Sequence, residues 1–195
     1  ARLLTPAEYG IMAMIAIFIA ISTSIIDSGF SNALIRKNEV RKIDYDTVFY
    51  FNLVVSSILY IFLYLVSPAI SSFFKEPVLI EVTRVISWIL IINALGIIPR
   101  TIFIINVDFK VQTKASLISS LVSGIIGISM ALFGLGVWSL VGQQLSRQLL
   151  NTFFLWFYCH WRPAWEFSIG SFKEMFGFGS KLLVSGLIDT IYKNI

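Results

Sequence analysis

Four polar side chains share one face of an otherwise apolar segment, residues 137–158. They are Gln144, Arg147, Gln148 and Asn151, which fall at the spacing of neighbouring positions on a helix. A guanidinium group presents a planar fork of donors that matches phosphate oxygens. Because an ionisable side chain at bilayer depth costs at least about 2.5 kcal/mol, the stripe predicts a water-lined cavity that binds an anion. The alternative is a structural hydrogen-bond network between helices.

A second polar stripe lies near the end of the chain, where Lys181, Ser185, Asp189 and Lys193 are four residues apart. Asp189 and Lys193 can neutralise each other at this spacing. Lys181 has no such partner in the sequence, so it is a second candidate ligand for an anion. It is equally suited to extend its ammonium group to the membrane surface, since it lies about one turn into the helix.

Two further ionisable residues are candidates for transport chemistry. Arg100 follows Pro99, and we interpret it either as a cavity-facing cation or, in preference, as an anchor at the membrane surface. Asp27 ends a stripe of small residues, where it could pair with a cation or take up a proton; a solvated or capping role fits equally well. Arg100 therefore joins the candidate substrate-binding set, and Asp27 and Asp189 are the candidate ion-coupling residues.

Motifs of enzyme chemistry are missing from the sequence. It has no P-loop, no HExxH and no GxSxG pattern, which argues against ATP hydrolysis and common hydrolase chemistry. Cys159 is the only cysteine, which excludes an internal disulfide and a multi-cysteine metal site. The only histidine, His160, lies among aromatic residues typical of a membrane interface. We expect a protein that is not an enzyme and that has no catalytic residues, no metal site and no cofactor.

The composition assigns these residues to membrane helices. The chain has 195 residues, of which 57% are hydrophobic and 13% charged, and its mean hydropathy is +0.84. Residues 47–74 and 115–146 contain no charged side chain. A hydrocarbon core about 30 Å thick needs roughly 20 apolar helical residues, so each run is long enough for a crossing. The prediction is an all-α, polytopic transmembrane helix bundle.

Apolar segments and the breakers that flank them predict five complete crossings and the start of a sixth. Thr5 and Glu8 can form a capping box before the first, and Asp44 is a plausible cap for the second. A glycine turn at residues 134–136 separates the fourth from the fifth. The crossings run from about Gly10 into the low thirties, 48–66 ended by Pro68, 85–105 with a kink at Pro99, 115–133, 137–158, and from near Phe176 onward.

Small residues recur every four positions along the fourth predicted crossing, between Ser119 and Ala131. Small side chains at this spacing let two helix backbones approach closely. We interpret the stripe as a packing surface with no chemistry attached.

Basic residues sort the predicted turns into two sides. By the positive-inside rule, the richer side is cytoplasmic. Residues 161–175 are amphipathic and are predicted to be a linker or an interfacial helix on that side, with Ser171 as a candidate cap. The richer side holds Arg36, Lys37, Arg41, Lys42, Arg100, Lys110, Lys114, Arg162 and Lys173, and the other holds Arg2, Lys75 and Arg84.

Short motifs in this order resemble the polysaccharide transporter family, which contains the O-antigen and exopolysaccharide lipid flippases of the multidrug/oligosaccharidyl-lipid/polysaccharide exporter superfamily. They extend from end to end of the chain. The motifs are RLLTPAEYG at 2–10, DSGFSNALI at 27–35, TVFYFN at 47–52, DFK at 108–110, GLGVWSLVGQQ at 134–144 and FGSKLLVSG at 178–186.

The resemblance implies about fourteen helices in two lobes around a central cavity. Residues 1–160 would hold helices two to six of the N-terminal lobe, 161–175 the cytoplasmic linker, and 176–195 the start of the C-terminal lobe, so that the chain is truncated at both ends. It also implies a bacterial inner-membrane protein that flips an undecaprenyl-diphosphate-linked oligosaccharide by alternating access. The expected partners are this substrate, membrane lipid and a coupling proton or sodium ion, with no nucleic acid.

Three other functions compete with this prediction. A multidrug exporter of the same superfamily would be expected to line its cavity with carboxylates if it expels organic cations, whereas Arg147 and Lys181 favour an anion. A polytopic sugar polymerase or acyltransferase would need a large outer loop or a cluster of catalytic side chains. A purely structural membrane subunit would leave the Arg147 stripe as packing alone.

Overall fold

Helix accounts for almost all of the apolar sequence. The computed structural model describes residues 4–27, 29–37, 39–177 and 179–180, and no residue in these ranges lies in a strand. The chain is helical again over residues 169–177. The prediction of an all-α, polytopic bundle is therefore confirmed. Within the described residues, the helices that precede residue 169 are α1 (Pro6–Asp27), α2 (Phe30–Arg36), α3 (Lys42–Phe74), α4 (Leu79–Ile86), α5 (Trp88–Ile105), α6 (Phe109–Leu132) and α7 (Val137–Tyr158).

Helix α7 differs from the other long helices in its polarity. It has 22 residues, enough to cross a bilayer, but its polar stripe keeps it from being as apolar as the other spans. It runs antiparallel along α6, with Gly142 beside Met130 near the turn and Leu155 in one cluster with Ala115 at the far end. It therefore lies at the depth of α6. Within the described residues, four stretches are long and apolar enough to span a membrane: Pro6–Arg36, Lys42–Phe74, Leu79–Ile105 and Phe109–Leu132.

Both carboxylates predicted to cap helix starts do so, although the second helix begins earlier than expected. The backbone N–H of Thr5 donates to the carboxylate of Glu8 at 2.6 Å, as in a capping box. Asp44 was expected to cap the second crossing at about residue 48, and α3 begins earlier, at Lys42. Asp44 lies in the first turn and caps the helix from there, because its carboxylate accepts from the N–H of Arg41 at 2.9 Å.

Pro68 does not end a helix, contrary to the sequence prediction. It lies inside α3, which continues to Phe74. A proline in a helix leaves the carbonyl four residues earlier without its usual donor, here that of Tyr64. The hydroxyl of Ser67 donates to this carbonyl at 2.8 Å and satisfies it. The helix therefore passes through the proline.

The turn between α6 and α7 depends on two glycines. Gly134 and Gly136 have φ angles of 76° and 54°, in the region that residues with a side chain rarely adopt. This confirms the glycine turn predicted between the fourth and fifth crossings. Gly29, with φ of 76°, likewise precedes α2 and separates it from α1.

Helices α6 and α7 pack closely through the small-residue stripe. A Cβ atom added at Gly127 would lie 2.9 Å from Cβ of Gln143, closer than real Cβ contacts allow. The prediction of a packing surface is confirmed, because the buried residues of α6 are Ala115, Ser119, Ser123, Gly127 and Ala131.

The segment after α7 returns to the bundle and packs against the start of α3. The ring of Trp161 contacts those of Phe49 and Trp156, with centroids 5.5 and 5.7 Å apart. Its backbone is held as well, since the N–H of Ser168 donates to the hydroxyl of Thr47 at 3.1 Å. The segment is thus attached to the bundle by aromatic and polar contacts.

The helix over residues 169–177 starts differently from the prediction. Ser168, and not Ser171, is its cap, because the Ser168 hydroxyl accepts from the N–H of Ser171 at 3.2 Å. Ser171 itself is buried. The segment predicted to be amphipathic divides in two: Phe172, in the helix, stacks on Phe30, whereas Trp165, which precedes the helix, is 95% exposed.

Candidate functional site

Hydrogen bonds position α7 against α5 and so determine where its polar stripe lies. The amide Nε2 of Gln148 donates to Oδ1 of Asn93 at 3.1 Å. One turn further, the hydroxyl of Thr152 donates to the carbonyl of Ile92 at 3.2 Å. Thr152 packs so closely on α5 that a side chain at Gly96 would collide with it. This contact face directs the neighbouring residues of α7 toward α6.

One cavity, here named the Arg100 cavity, lies between α5, α6 and α7 toward the basic end of the bundle. Its volume is about 490 Å³. The amide Nε2 of Gln112, which lines it, is buried and has no hydrogen-bond partner among the described residues. A buried donor without a partner is costly, so this amide is available to a ligand or to water. The lining consists of Arg100, Phe109, Gln112, Thr113, Ser116, Leu117, Asn151 and Leu155.

A second cavity, the Arg147 cavity, adjoins the first toward the middle of the bundle. Its volume is about 320 Å³. Ser116 and Asn151 line both cavities, so the two form one continuous polar surface. The lining consists of Ile89, Ser116, Ser119, Gln144, Arg147, Gln148 and Asn151.

The structure brings together five of the six residues predicted to bind substrate. They come from α5 and α7, and all line one or the other of the two adjoining cavities. Arg100 lines its cavity together with Asn151 near the basic end of the bundle, so the cavity-facing cation and the membrane-surface anchor both stay predictions for this residue. The five are Arg100, Gln144, Arg147, Gln148 and Asn151.

The electrostatic character of this surface is cationic. No aspartate or glutamate is among the described residues that line the two cavities. The ion pairs found in the described part of the chain involve Lys37, Arg41, Asp44 and Glu174, and neither arginine of the cavities. Arg147 is also exposed in the bundle. Both guanidinium groups are therefore free to bind an anion in the cavities.

The structure does not test the three remaining predicted site residues. Lys181 and Asp189 lie outside the described residues. Asp27 is the last residue of α1, and no described residue of α1 lines either cavity. A coupling role for Asp27 or Asp189 stays a prediction.

Part of the site lies on α6 and was not predicted from the sequence. Gln112, Ser116 and Ser119 line the cavities, whereas Ser119 was interpreted only as a packing residue. The spacing of these three residues, four and then three, was a detectable signal of one polar helix face. It was obscured because Ser119 also belongs to the small-residue stripe against α7.

Comparisons with known proteins find one matching family and several relatives. A family model described as polysaccharide biosynthesis protein matches residues 1–195. The chain is 24% identical over 174 residues to the teichuronic acid biosynthesis protein TuaB of Bacillus subtilis (strain 168), an alignment that covers 88% of this chain and 36% of TuaB. It is 22% identical over 169 residues to the succinoglycan biosynthesis transport protein ExoT of Rhizobium meliloti (strain 1021), covering 87% of this chain and 34% of ExoT.

A third relative matches the whole chain. This is the lipopolysaccharide biosynthesis protein WzxC of Escherichia coli (strain K12), 20% identical over 200 residues, with 100% of this chain and 40% of WzxC covered. The chain thus spans less than half the length of these curated relatives. No solved structure matches it.

Proposed function

We propose that this chain, which belongs to the family of polysaccharide biosynthesis proteins, forms part of a transporter. The transporter flips a lipid-linked oligosaccharide across the bacterial inner membrane. The word transport in the name of ExoT supports this activity. The substrate is an undecaprenyl-diphosphate-linked oligosaccharide. Residues 1–160 belong to the N-terminal lobe, residues 161–175 are the linker and the second lobe begins at 176. The basic end of the bundle faces the cytoplasm.

The observation that carries this proposal is the position of two arginines on one polar surface inside a membrane bundle. Arg100 lines the cavity toward the basic end, and Arg147 lines the adjoining cavity nearer the middle. Guanidinium groups bind phosphate oxygens through paired donors, and a diphosphate offers oxygens to both. In this mechanism the diphosphate binds at the arginines while rocking of two lobes exposes the cavity first to one side and then to the other.

The charge of the cavities also distinguishes this substrate from organic cations. Export of a cationic drug would be favoured by carboxylates at the binding site, and the described lining residues include none. An arginine in such a surface repels a cation and attracts a phosphate. The multidrug-exporter alternative is therefore disfavoured.

The test is to express the complete gene product in a bacterial strain that lacks its own flippase and to measure complementation. We expect wild type to restore surface polysaccharide. Arg147→Ala removes charge-assisted hydrogen bonds worth about 1.5–3 kcal/mol, which corresponds to a loss of about 10- to 100-fold. Arg147→Lys should also lose activity, because lysine lacks the planar fork.

Arg84→Lys is the matched control, since Arg84 lines neither cavity and instead covers the ring of Tyr64 at 4.3 Å. It should retain activity at equal expression. If wild type restores polysaccharide and both Arg147 variants do so fully, the anion site does not depend on Arg147. If wild type fails in a host with the matching glycan, the flippase proposal itself is wrong.

A further inference from the structure

An open apolar groove runs along α6 at the basic end of the bundle. It has a volume of about 630 Å³ and is lined by apolar atoms with two ammonium groups at its rim, those of Lys110 and Lys114. Phe109 and Leu117 are 56% and 60% exposed there, so no described part of the chain covers the groove. The lining consists of Phe109, Lys110, Thr113, Lys114, Leu117 and Ile118.

The groove and the Arg100 cavity lie on either side of one ridge. Phe109, Thr113 and Leu117 line both spaces, and they are four residues apart on a single helix face. One side of this ridge is apolar and faces the surroundings of the bundle. The other side is polar and contains Arg100 and the unpaired amide of Gln112. Only the width of these side chains separates the two environments.

This arrangement matches the two chemical parts of a lipid with an anionic head and a long hydrocarbon chain. The apolar wall accommodates the chain, and the lysines lie at the rim where a lipid phosphate meets the membrane surface. Lys114 is held near that rim, since its Nζ lies 5.6 Å from the centroid of the Tyr158 ring. An ammonium group in this position attracts the phosphate before the head reaches the cavity.

We infer that the groove beside Lys110 and Lys114 is the docking site for the prenyl-diphosphate carrier of the substrate, whose head group passes over the Phe109–Thr113–Leu117 ridge into the Arg100 cavity. This inference rests on the proposed function and adds the point of lateral entry. A bulk phospholipid fits less well, because its headgroup gains nothing from the cations behind the ridge. Because the groove is continuous with a cationic cavity, it favours the diphosphate carrier over a bulk phospholipid.

The experiment is photocrosslinking of the complete gene product in vesicles of phosphatidylethanolamine and phosphatidylglycerol with a small fraction of undecaprenyl diphosphate. A photoreactive benzoylphenylalanine replaces Leu117, or Thr113 as a second position, and mass spectrometry identifies the adducts. Leu132 is the matched control, because it is the same residue type on the same helix and 68% exposed, yet lies outside the groove.

Selective undecaprenyl diphosphate adducts at Leu117 and Thr113, but not at Leu132, would support the groove. Replacing both lysines by glutamine should then lower those adducts about thirtyfold, at about 1 kcal/mol for each lysine. Phosphatidylglycerol adducts in proportion to its abundance, or equal labelling at Leu132, would overturn the inference. Complementation by wild type separates the outcomes: rescue without selective labelling refutes only the groove, and selective labelling without rescue refutes only the flippase activity.

Discussion

The indole nitrogen of Trp156 donates a hydrogen bond of 2.9 Å to the backbone carbonyl of Leu95. This carbonyl lacks its usual helical donor, because the residue four positions later is Pro99. The proline therefore leaves a hydrogen-bond acceptor on α5, and the indole N–H from α7 satisfies it. It explains how a helix with an interior proline gains a specific contact, and how the arginine of the next residue, Arg100, is held beside α7.

Trp156→Phe should destabilise the protein by about 1–3 kcal/mol, because it leaves a partly buried carbonyl without a donor. In a Pro99→Ala background the backbone N–H of the new alanine can supply that donor. The cost of Trp156→Phe should then fall by at least about 1 kcal/mol. Thermal unfolding of the four proteins in detergent measures this cycle. Equal costs in both backgrounds would show that the proline and the indole act independently.

Replacing each of two glycines on α6 by alanine should have different effects on the stability of the protein. Gly127→Ala places a Cβ 2.9 Å from Cβ of Gln143, so α6 and α7 must separate, at about 1–3 kcal/mol. Gly124→Ala meets nothing within 4 Å and should be neutral or stabilising by up to about 1 kcal/mol, since alanine favours helix. Unfolding temperatures of the two variants provide the comparison. A stable Gly127→Ala protein would contradict the tight packing of the hairpin.

An ion-pair cluster attaches the segment after α7 to the α2–α3 turn. The ammonium of Lys37 lies 3.1 Å from the carboxylate of Asp44 and 2.9 Å from that of Glu174. The Asp44 side chain is fully buried and that of Glu174 is 60% exposed. Burial makes the first pair much more sensitive to loss of one partner.

We expect Asp44→Asn to lower the free energy of unfolding by about 1–3 kcal/mol, since it leaves the Lys37 charge with less compensation. Glu174→Gln should cost less than about 1 kcal/mol, because solvent screens that pair, and the cost should shrink further in high salt. Chemical denaturation at low and high salt tests whether the Asp44 substitution lowers the free energy of unfolding more than the Glu174 substitution does. A larger effect at Glu174 than at Asp44 would contradict the burial argument.

Much of the fold followed from the sequence because the bilayer imposes strong rules. Residues 137–158 were predicted as one helix and form α7, and the glycine turn before them lies where positive φ requires it. The stripe containing Arg147 was recognisable because a charge in an apolar helix must have a polar environment. Helical spacing alone therefore predicted which residues of α7 share a cavity.

Other features depended on contacts between distant residues or on local geometry. The Lys37–Glu174 pair joins positions 137 residues apart, which no periodicity reveals. Pro68 was expected to end a helix, but the neighbouring hydroxyl of Ser67 satisfies the carbonyl that the proline leaves. The role of Gln112 required knowledge of which face of α6 meets α5 and α7. Each of these features depends on a side-chain contact that sequence patterns do not specify.

The single thiol, Cys159, is 3% exposed and packs with Phe103, Ala115 and Leu155. Burial raises the pKa of this thiol above its ordinary value. Since the thiolate is the reactive form, a raised pKa means fewer thiolates at neutral pH and a labelling rate that rises only at more alkaline pH.

Native protein should react with a maleimide at least about tenfold more slowly than unfolded protein. Val107→Cys in a Cys159→Ser background is the control, because residue 107 is 69% exposed and should label rapidly. Equal native rates at the two positions would show that the junction between α7 and the following segment opens readily.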